Sequence, residues 1–341
     1  MQSLVYLGPG AAALEERPDP RPSAPDDVVV RVIGTGICGT DRKILLGHFP
    51  ARPGVVLGHE SVGVVSSVGE AVTGLAEGDR VVVNPTLYCG HCARCRRGAT
   101  NHCLNKSGTE VGVDRDGTFA EFVVLPERFV SPLPANLPFR RAVLIEPLAC
   151  VLNNVRAGGV GYDDVVVVLG AGPIGMLVAA VCERLARRVV VVEADPYRLD
   201  LARSRFRRVV SPAEDVGEAP SVVVETTGNH LDEALGLVAD GGRVVVMGFD
   251  DSYTSQVTPL RLTNRGISVI GAGDYPAEVF PQAVDLIGGL DLPELVTHEF
   301  PLADHEAAFG ALSVLGYSAM KVVIRSDAGV PAGPDGWPGE R

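Results

Sequence analysis

The chain has 341 residues, of which 46% are hydrophobic and 21% are charged, and its formal net charge is −12. This length favours two domains over a single core, and the composition is that of a globular protein. The acidic balance disfavours nucleic acid or an anionic membrane as a partner. No basic stretch followed by an apolar one opens the chain, so we predict no secretory signal and expect a cytoplasmic protein with reduced thiols.

The predicted elements change character along the chain. Up to about residue 150, short Val-rich runs separated by Gly, Pro and Asp predict strands and turns. From about residue 155, Val runs alternate with amphipathic segments, and this alternation predicts an α/β fold with a doubly wound parallel sheet. ISVIGAG is predicted as its last strand. Two helix-like segments, PAEVFPQAVDLIGGL and ADHEAAFGAL, then precede a closing strand in SAMKVVIRS, and a Pro- and Gly-rich tail follows.

One segment, VVVVLGAGPIGMLVAAVC at 165–182, has no charge over eighteen residues and meets the length of a membrane helix. Its interior argues against that interpretation, because three glycines and a proline within six residues break a helix. We therefore predict a strand, a turn and a helix here, and no membrane partner.

The turn in this segment has the spacing of a dinucleotide-binding loop. Gly170, Gly172 and Gly175 form G-x-G-x-x-G directly after a predicted strand and at the start of a helix, which is the context that the motif requires. Glu193 ends the next strand, where a carboxylate can accept hydrogen bonds from ribose hydroxyls and repel a 2′-phosphate, so NAD is favoured over NADP. The alternative is a tight turn that binds no nucleotide. Further predicted cofactor contacts are Pro173, Ile174 and Arg198.

Four of the seven cysteines lie within fifteen positions, at Cys89, Cys92, Cys95 and Cys103. Four thiolates at this spacing can close around one tetrahedral zinc with no position left for water, which predicts a structural site. Disulfides are the alternative, and a reducing compartment disfavours them. Two histidines inside the loop are expected to be bystanders, since the cysteines saturate the metal.

A second metal site is predicted from three separated segments. Cys38 lies in GICGTD, His59 in LGHE and Glu146 in IEPLAC, and sulfur, nitrogen and oxygen ligands suit a catalytic zinc with an open fourth position. Glu60 and Asp41 adjoin these residues and are candidates for an exchangeable ligand or a supporting group. Taken singly, a cysteine in an apolar strand is usually core and a His–Glu pair is usually a turn.

Together these motifs resemble the zinc-dependent medium-chain dehydrogenase/reductase family. Its zinc alcohol dehydrogenase signature is matched by Gly58, His59, Glu60, Gly63, Gly69 and Val72. The order CGTD, GHE, four-cysteine loop, EPL and G-x-G-x-x-G is also similar. The resemblance implies a GroES-like catalytic domain interrupted by a Rossmann domain. We expect the catalytic domain at 1–152 and 275–326, the NAD-binding domain at 153–274 and a flexible tail at 327–341.

The resemblance also implies roles for individual residues. Cys38, His59 and Glu146 match the catalytic zinc ligands, and a glutamate in EPL is similar to the sorbitol and threonine dehydrogenase branch. Thr40 matches the hydroxyl that begins the proton relay, and Asp41 matches the carboxylate that holds the ligand histidine. Many relatives have a histidine to end the relay where this chain has Lys43. The relay through Lys43, through nearby His48, or through ribose and water remains open, as does the choice of Glu60 or Glu146 as resting ligand.

The implied reaction is the oxidation of a secondary alcohol to a ketone, with zinc as Lewis acid and NAD as hydride acceptor. Low aromatic content and a glutamate ligand favour a polar, polyhydroxylated substrate. Asn153 is similar to a position in the amino-cyclitol dehydrogenases of aminoglycoside antibiotic biosynthesis, which oxidise 2-deoxy-scyllo-inosamine. Sorbitol-like polyols and threonine remain open, as does an inactive zinc-stabilised member of the family. A zinc-free quinone reductase would lack both cysteine sites. Relatives imply a homo-oligomer, either dimer or tetramer.

Overall fold

A computed structural model describes residues 1–212, 216–312, 319–326 and 333–337. The chain divides into two compact units. The first contains Met1–Glu146, Pro276–Gly288 and Val296–Arg341, and the second contains Pro147–Tyr275 and Gly289–Leu295. The first boundary between the two units therefore follows Glu146, whereas we predicted a domain boundary after residue 152 from the sequence. Residues 289–295, expected in the returning catalytic segment, belong to the second unit.

The strands are β1 (Gln2–Gly8), β2 (Ala11–Glu16), β3 (Asp27–Gly36), β4 (Glu60–Val68), β5 (Arg80–Val83), β6 (Phe122–Pro126), β7 (Val130–Pro132), β8 (Val165–Leu169), β9 (Arg188–Val192), β10 (Val209–Val210), β11 (Val222–Glu225), β12 (Arg243–Val246), β13 (Ser268–Ile270), β14 (Val296–Pro301) and β15 (Lys321–Arg325). The helices are α1 (Gly39–Leu46), α2 (Phe139–Ala142), α3 (Ile145–Ala157), α4 (Pro173–Cys182), α5 (Pro196–Arg203), α6 (Leu231–Leu237), α7 (Pro259–Arg265), α8 (Val279–Ile287) and α9 (His305–Ala311).

The first unit is built on a seven-stranded sheet in the order β14-β15-β3-β4-β5-β7, with β6 also paired to β3. The long strand β3 is buried along nearly its whole length, as its Val-rich sequence predicts. It pairs antiparallel with β4 on one side and with β15 on the other, so the chain's last described strand lies beside one of its first. Cys38 follows the end of β3, His59 and Glu60 lie at the start of β4, and β15 begins at Lys321.

The second unit is an entirely parallel six-stranded sheet in the order β10-β9-β8-β11-β12-β13. Chain order reverses between β8 and β11, so this is the 3-2-1-4-5-6 arrangement of a Rossmann fold. Its central strand, β8, is fully buried because every residue in it is Val or Leu. The predicted doubly wound parallel sheet is thus confirmed, and the switch point lies beside the glycine-rich turn.

Some local features of the structure were not predicted from the sequence. The segment between β12 and β13 contains a helix that was not named from the sequence, α7, which has Pro259 in its first turn. The short strands β10 and β14 had no clear alternation in sequence. In the predicted flexible tail, Trp337 is fully buried, and its indole N–H donates to the carbonyl of Leu137 at 2.9 Å. The rest of that tail, 327–332 and 338–341, lies outside the described residues.

Candidate metal and dinucleotide sites

The four-cysteine loop brings its sulfur atoms together. The Sγ atoms of Cys89, Cys92, Cys95 and Cys103 all lie within 4.8 Å of one another, and all four cysteines are free thiols. The separations Cys89–Cys95 and Cys92–Cys103 are both 4.0 Å. A tetrahedral zinc with Zn–S bonds of about 2.3 Å has sulfur–sulfur edges of about 3.8 Å. The cluster thus has nearly the size of a zinc tetrahedron without any rearrangement.

The backbone around this loop favours thiolates. N–H groups of Cys92 and Cys95 point at the preceding cysteine sulfurs at 3.4 and 3.5 Å. Burial opposes ionisation of Cys89, but the N–H groups of His91 and Cys92 outweigh it and lower the pKa of that thiol to about 6. Burial raises the pKa of Cys95 to about 12, so its thiolate requires a cation beside it. This donor set fits zinc, and His91 lies outside it, bonded to the carbonyl of Cys89.

The second cluster is organised by the start of α1. Cys38 directly precedes this helix, and its backbone N–H donates to Oδ2 of Asp41 at 2.8 Å. The other oxygen of Asp41 lies 3.4 Å from Nδ1 of His59, and Asp41 is completely buried. A carboxylate on Nδ1 fixes the imidazole ring and leaves Nε2 for a metal, which is the usual arrangement around a zinc-bound histidine.

The electrostatics of His59 fit the same role. Burial disfavours a charged ring, yet the nearby Asp41 carboxylate and Cys38 raise the pKa of His59 well above its ordinary value. The Asp41 carboxylate and the neighbouring Cys38 therefore favour positive charge at this imidazole. In a metal-loaded protein, zinc would take the place of the proton.

The third ligand differs from the leading prediction. Among the described residues, the ligand atoms that lie within 4.8 Å of one another belong to Cys38, His59 and Glu60. Glu146 is buried near the start of α3 but is not part of this group. The sequence named both carboxylates, with Glu60 as the exchangeable one. The structure brings Glu60 in because it directly follows His59 and begins β4.

Sequence reasoning missed one charged group at this site, Lys321. Its Nζ donates to Oε2 of Glu60 at 2.5 Å and to the carbonyl of Ile37 at 3.2 Å. The sequence treated it only as part of a closing strand. A lysine at the head of a Val-rich strand was the available signal, since a strand buried on both faces has no place for an unpaired charge.

Of the residues predicted for the proton relay, Thr40 has a contact with the candidate metal site. The hydroxyl of Thr40 lies 3.7 Å from the Sγ of Cys38, beside the candidate metal position. Lys43 is half-buried on α1 and His48 is exposed just beyond it. Their parts in proton transfer stay predictions.

The glycine-rich turn has the geometry that a dinucleotide requires. Gly170 has φ +95°, and a Cβ on Gly175 would lie 1.9 Å from the carbonyl oxygen of Gly170. Both positions therefore exclude a side chain, and Gly172 caps the N-terminus of α4, where Pro173 and Ile174 begin the helix. A turn without side chains at these glycines allows the backbone at the N-terminus of α4 to approach a pyrophosphate closely.

Glu193 is connected to this turn. Its Oε2 accepts from the N–H of Ala171 at 2.7 Å, and its Oε1 accepts from Ala194 and Asp195 at 2.7 and 2.8 Å. A carboxylate has about four acceptor sites, so one remains for a ribose hydroxyl. Arg198 lies in the first turn of α5, where its N–H donates to Asp195.

The side chain of Asn153 forms hydrogen bonds within the second unit. Its amide nitrogen donates to the carbonyls of Ala272 and Asp274 at 3.4 and 2.9 Å. The side chain therefore holds the segment after β13 within the second unit. This contact accounts for an asparagine on α3 without reference to a substrate.

Two family models match the chain. Residues 24–135 match the alcohol dehydrogenase GroES-like domain, and residues 173–288 match zinc-binding dehydrogenases. An L-threonine 3-dehydrogenase of Aeromonas salmonicida is 33% identical over 84% of this chain and 89% of its own length. A sorbitol dehydrogenase of Halalkalibacterium halodurans is 30% identical over 95% of this chain and 99% of its own length. The chain belongs to the zinc-dependent medium-chain dehydrogenase/reductase family. Within the family it falls in the sorbitol and threonine dehydrogenase-like branch.

Solved structures of the family agree with this fold. A zinc-binding dehydrogenase of Sinorhizobium meliloti 1021, bound to NADP, has a TM-score of 0.87 and 30% identity, with 95% of this chain and 98% of that chain covered. A short chain alcohol dehydrogenase of Escherichia coli CFT073, complexed with NADH, has a TM-score of 0.86 and 30% identity, with 95% and 99% covered. The GroES-like and Rossmann architecture and the zinc and nicotinamide cofactors predicted from sequence are thereby confirmed.

The segment 165–182 does not form one helix but divides into β8 and α4. Within the part of the chain that the structure describes, no helix has the length and apolarity needed to cross a membrane.

Proposed function

We propose that this zinc-dependent dehydrogenase oxidises a secondary alcohol of a polar polyol, cyclitol or amino-cyclitol to a ketone, with NAD as hydride acceptor. The observation that carries the proposal is the group formed by Cys38, His59 and Glu60, whose ligand atoms lie within 4.8 Å of one another. A thiol, an imidazole and a carboxylate suit zinc, and three protein ligands leave one position for substrate. The separate four-cysteine cluster would hold the structural zinc.

Each residue of the proposed site has a distinct part. Cys38 and His59 would hold the catalytic zinc together with a glutamate, and Asp41 would keep the imidazole in its metal-binding tautomer. When bound, zinc supplies a Lewis acid that lowers the pKa of an alcohol, and NAD supplies the hydride acceptor. Thr40 accepts the substrate proton at its Oγ1 while its own proton leaves toward His48, toward a ribose hydroxyl and water, or toward Lys43 if that amine is neutral. Glu193 would hold the adenosine ribose, and the N-terminus of α4 would bind the pyrophosphate.

The substrate class follows from the branch and the composition. The relatives named above are a threonine and a sorbitol dehydrogenase, and both names denote polar secondary alcohols. Aromatic residues make up 5% of this chain, which offers few surfaces for a hydrophobic alcohol. An amino-cyclitol of antibiotic biosynthesis is the finer proposal, and threonine or sorbitol is its competitor.

The test combines metal analysis with a substrate panel. Zinc is counted per chain in the wild type and in Cys38→Ser, and NAD reduction is assayed with polyols, amino-cyclitols and threonine. We expect two zinc ions falling to one, with loss of activity. One zinc in both proteins, with no gain of activity on adding zinc, would contradict the catalytic site. Two zinc ions and no turnover on any alcohol would favour an inactive, zinc-stabilised member of the family.

Two coarser features accompany the proposal. Reduced thiols at both zinc sites suit a cytoplasmic enzyme. We also propose a homo-oligomer, dimer or tetramer, which sedimentation equilibrium of the zinc-loaded protein tests directly.

A further inference from the structure

A cavity of about 800 Å³ lies in the second unit, at the amino edge of the parallel sheet, where its strands begin. Ligand sites in proteins commonly have volumes of about 300–1,000 Å³. Most of the residues that line this cavity are cations: Arg187, Arg188, Arg205, Arg207 and Arg208, with Glu183, Ala186 and Val189. The whole chain has a net charge of −12, so this lining is opposite in sign to the protein as a whole.

The sheet topology brings these arginines together. β9 begins at Arg188, and β10 begins directly after the segment 205–208. The two strands are parallel neighbours, so their starts lie side by side, and the N–H of Val191 donates to the carbonyl of Arg208 at 3.0 Å. The glycine-rich turn follows the end of β8 and therefore lies at the opposite, carboxyl edge of the same sheet. The cavity is thus separate from the dinucleotide site.

Arg205 is held in place within the lining. Its guanidinium group lies 3.0 Å from the carboxylate of Glu183 and 2.9 Å from that of Asp291, and it stacks over the ring of Phe206 at 5.1 Å. The side chain is only 20% exposed. Because three contacts already order this group, little conformational entropy remains to be lost when a ligand binds beside it.

The other arginines have weaker or fewer partners. Arg187 and Arg188 share one carboxylate, that of Glu218, at 2.7 and 3.9 Å, and all three side chains are nearly half exposed. Ion pairs of this kind contribute about 0–1 kcal/mol each, so a more highly charged anion can replace the carboxylate. Arg207 is exposed and forms no ion pair with any residue that the structure describes.

We propose that this cavity binds a compact anion that carries a diphosphate group. Guanidinium groups donate paired hydrogen bonds to phosphate oxygens, and a diphosphate offers enough oxygens and charge for several arginines at once. Ala186 and Val189 give the rest of a ligand little to recognise, so charge would provide most of the affinity. The inference is independent of the proposed function, because it concerns the opposite edge of the sheet from the cofactor turn.

Equilibrium dialysis of inorganic pyrophosphate against the full-length, zinc-loaded protein tests the site. Saturating NADH is present so that the glycine-rich turn is occupied, and zinc is counted in the same samples to verify that pyrophosphate has not removed it. We expect one pyrophosphate per chain, with an affinity that falls as salt is added because the contacts are electrostatic. Orthophosphate should bind about tenfold more weakly, since it can contact fewer arginines at once.

Substitutions of opposite sign separate this site from general damage. Arg207→Ser should weaken pyrophosphate binding about fivefold, and adding Arg188→Ser should bring the loss to about 20-fold. Glu218→Gln removes the competing carboxylate and should strengthen binding about fivefold, which a damaged protein would not do.

The matched controls are exposed residues of the first unit. Arg21→Ser and Glu70→Gln change the net charge by the same amounts and should leave pyrophosphate binding unchanged. A change in these variants equal to that in Arg207→Ser and Glu218→Gln would overturn the inference, because only net charge would then matter.

ADP in place of pyrophosphate identifies the source of the diphosphate. Tighter binding of ADP would support a nucleotide as the ligand, and equal binding would support recognition of the diphosphate alone.

Three further results would overturn the inference. Pyrophosphate binding that NADH abolishes would place the anion at the glycine-rich turn. Orthophosphate binding as tightly as pyrophosphate would show that no diphosphate is selected. A salt-sensitive association of copies that is lost in Arg207→Ser, without uptake of pyrophosphate by the wild type, would assign these arginines to a contact between chains; sedimentation equilibrium detects it.

Discussion

Replacing Glu193 with glutamine tests how this chain distinguishes NAD from NADP. The carboxylate accepts three backbone N–H groups, one on Oε2 from Ala171 and two on Oε1. The glutamine oxygen can take over the two bonds of Oε1, but its amide NH₂ then faces the N–H of Ala171. That unpaired donor costs about 1–3 kcal/mol of stability. The variant should therefore fold with a modestly lowered midpoint of unfolding.

The effect on cofactor choice has two sources. A charge-assisted bond to the ribose contributes about 1.5–3 kcal/mol, and its weakening lowers kcat/KM for NAD. Removing the negative charge also relieves its repulsion of a 2′-phosphate, by about 1–2 kcal/mol at a partly exposed site. From the weaker ribose bond and the reduced repulsion combined, we expect the ratio of kcat/KM for NAD to that for NADP to fall about 100-fold, which corresponds to about 2.7 kcal/mol. Steady-state kinetics with both cofactors at saturating alcohol measures it.

Glu225 provides the matched control. It ends β11 in the same sheet, is as deeply buried, and accepts N–H groups from Thr227 and Gly228 in the following turn. Glu225→Gln should carry a similar stability cost while leaving the NAD-to-NADP ratio nearly unchanged. An unchanged ratio in Glu193→Gln, or an equal change in both variants, would refute the assignment of Glu193 to the ribose.

Three further predictions follow from single positions. Cys103→Ser should lose one zinc per chain and cost about 3 kcal/mol or more of stability, because a structural zinc contributes folding energy outright; metal analysis and thermal unfolding measure both, and full zinc retention would contradict it. Gly175→Ala should weaken NAD binding at least tenfold in calorimetric titration, since its Cβ meets the carbonyl of Gly170 at 1.9 Å, and unchanged affinity would show that the turn relaxes freely. Asp27→Asn should lower stability by about 1–2 kcal/mol at pH 7. Burial opposes ionisation of Asp27, but N–H donors from the preceding turn lower its folded-state pKa. The stability difference between the wild type and Asp27→Asn should therefore be complete above the unfolded pKa of about 3.9, and it should vanish as the pH falls through the lower folded-state pKa. Urea unfolding of both proteins across that pH range measures this difference, and a difference that grows as the pH falls would contradict the prediction.

The features predicted from sequence are those that a short segment determines by itself. The glycine turn is set by G170-A-G-P-I-G175, because φ +95° at one glycine and a backbone contact at another admit no other residue type. The four-cysteine cluster lies within fifteen residues, and its own N–H groups aim at the sulfurs. Neither feature depends on a distant part of the chain, so residue type and spacing were sufficient to predict both.

Features that depend on long-range packing were not predicted. The pair of Glu60 and Lys321 joins positions 261 residues apart, and no local pattern connects a GHE turn with a C-terminal strand. The burial of Trp337 against the carbonyl of Leu137 is similar, with 200 residues between them. The choice between Glu60 and Glu146 near the metal belongs to the same class, because it depends on where β4 starts relative to α3.

Strand register explains how these distant residues are brought to one point. Gly36, the last residue of β3, pairs with Glu60 of β4 on one side and with Val323 of β15 on the other. Side chains alternate faces along a strand, so Val323 and Lys321 are two residues apart and share a face. A slip of one residue in β15 would turn Lys321 to the opposite face and leave Glu60 as a buried, unpaired carboxylate. Such a charge costs several kcal/mol, so the ion pair beside the metal position also selects the register of the strand that closes the sheet.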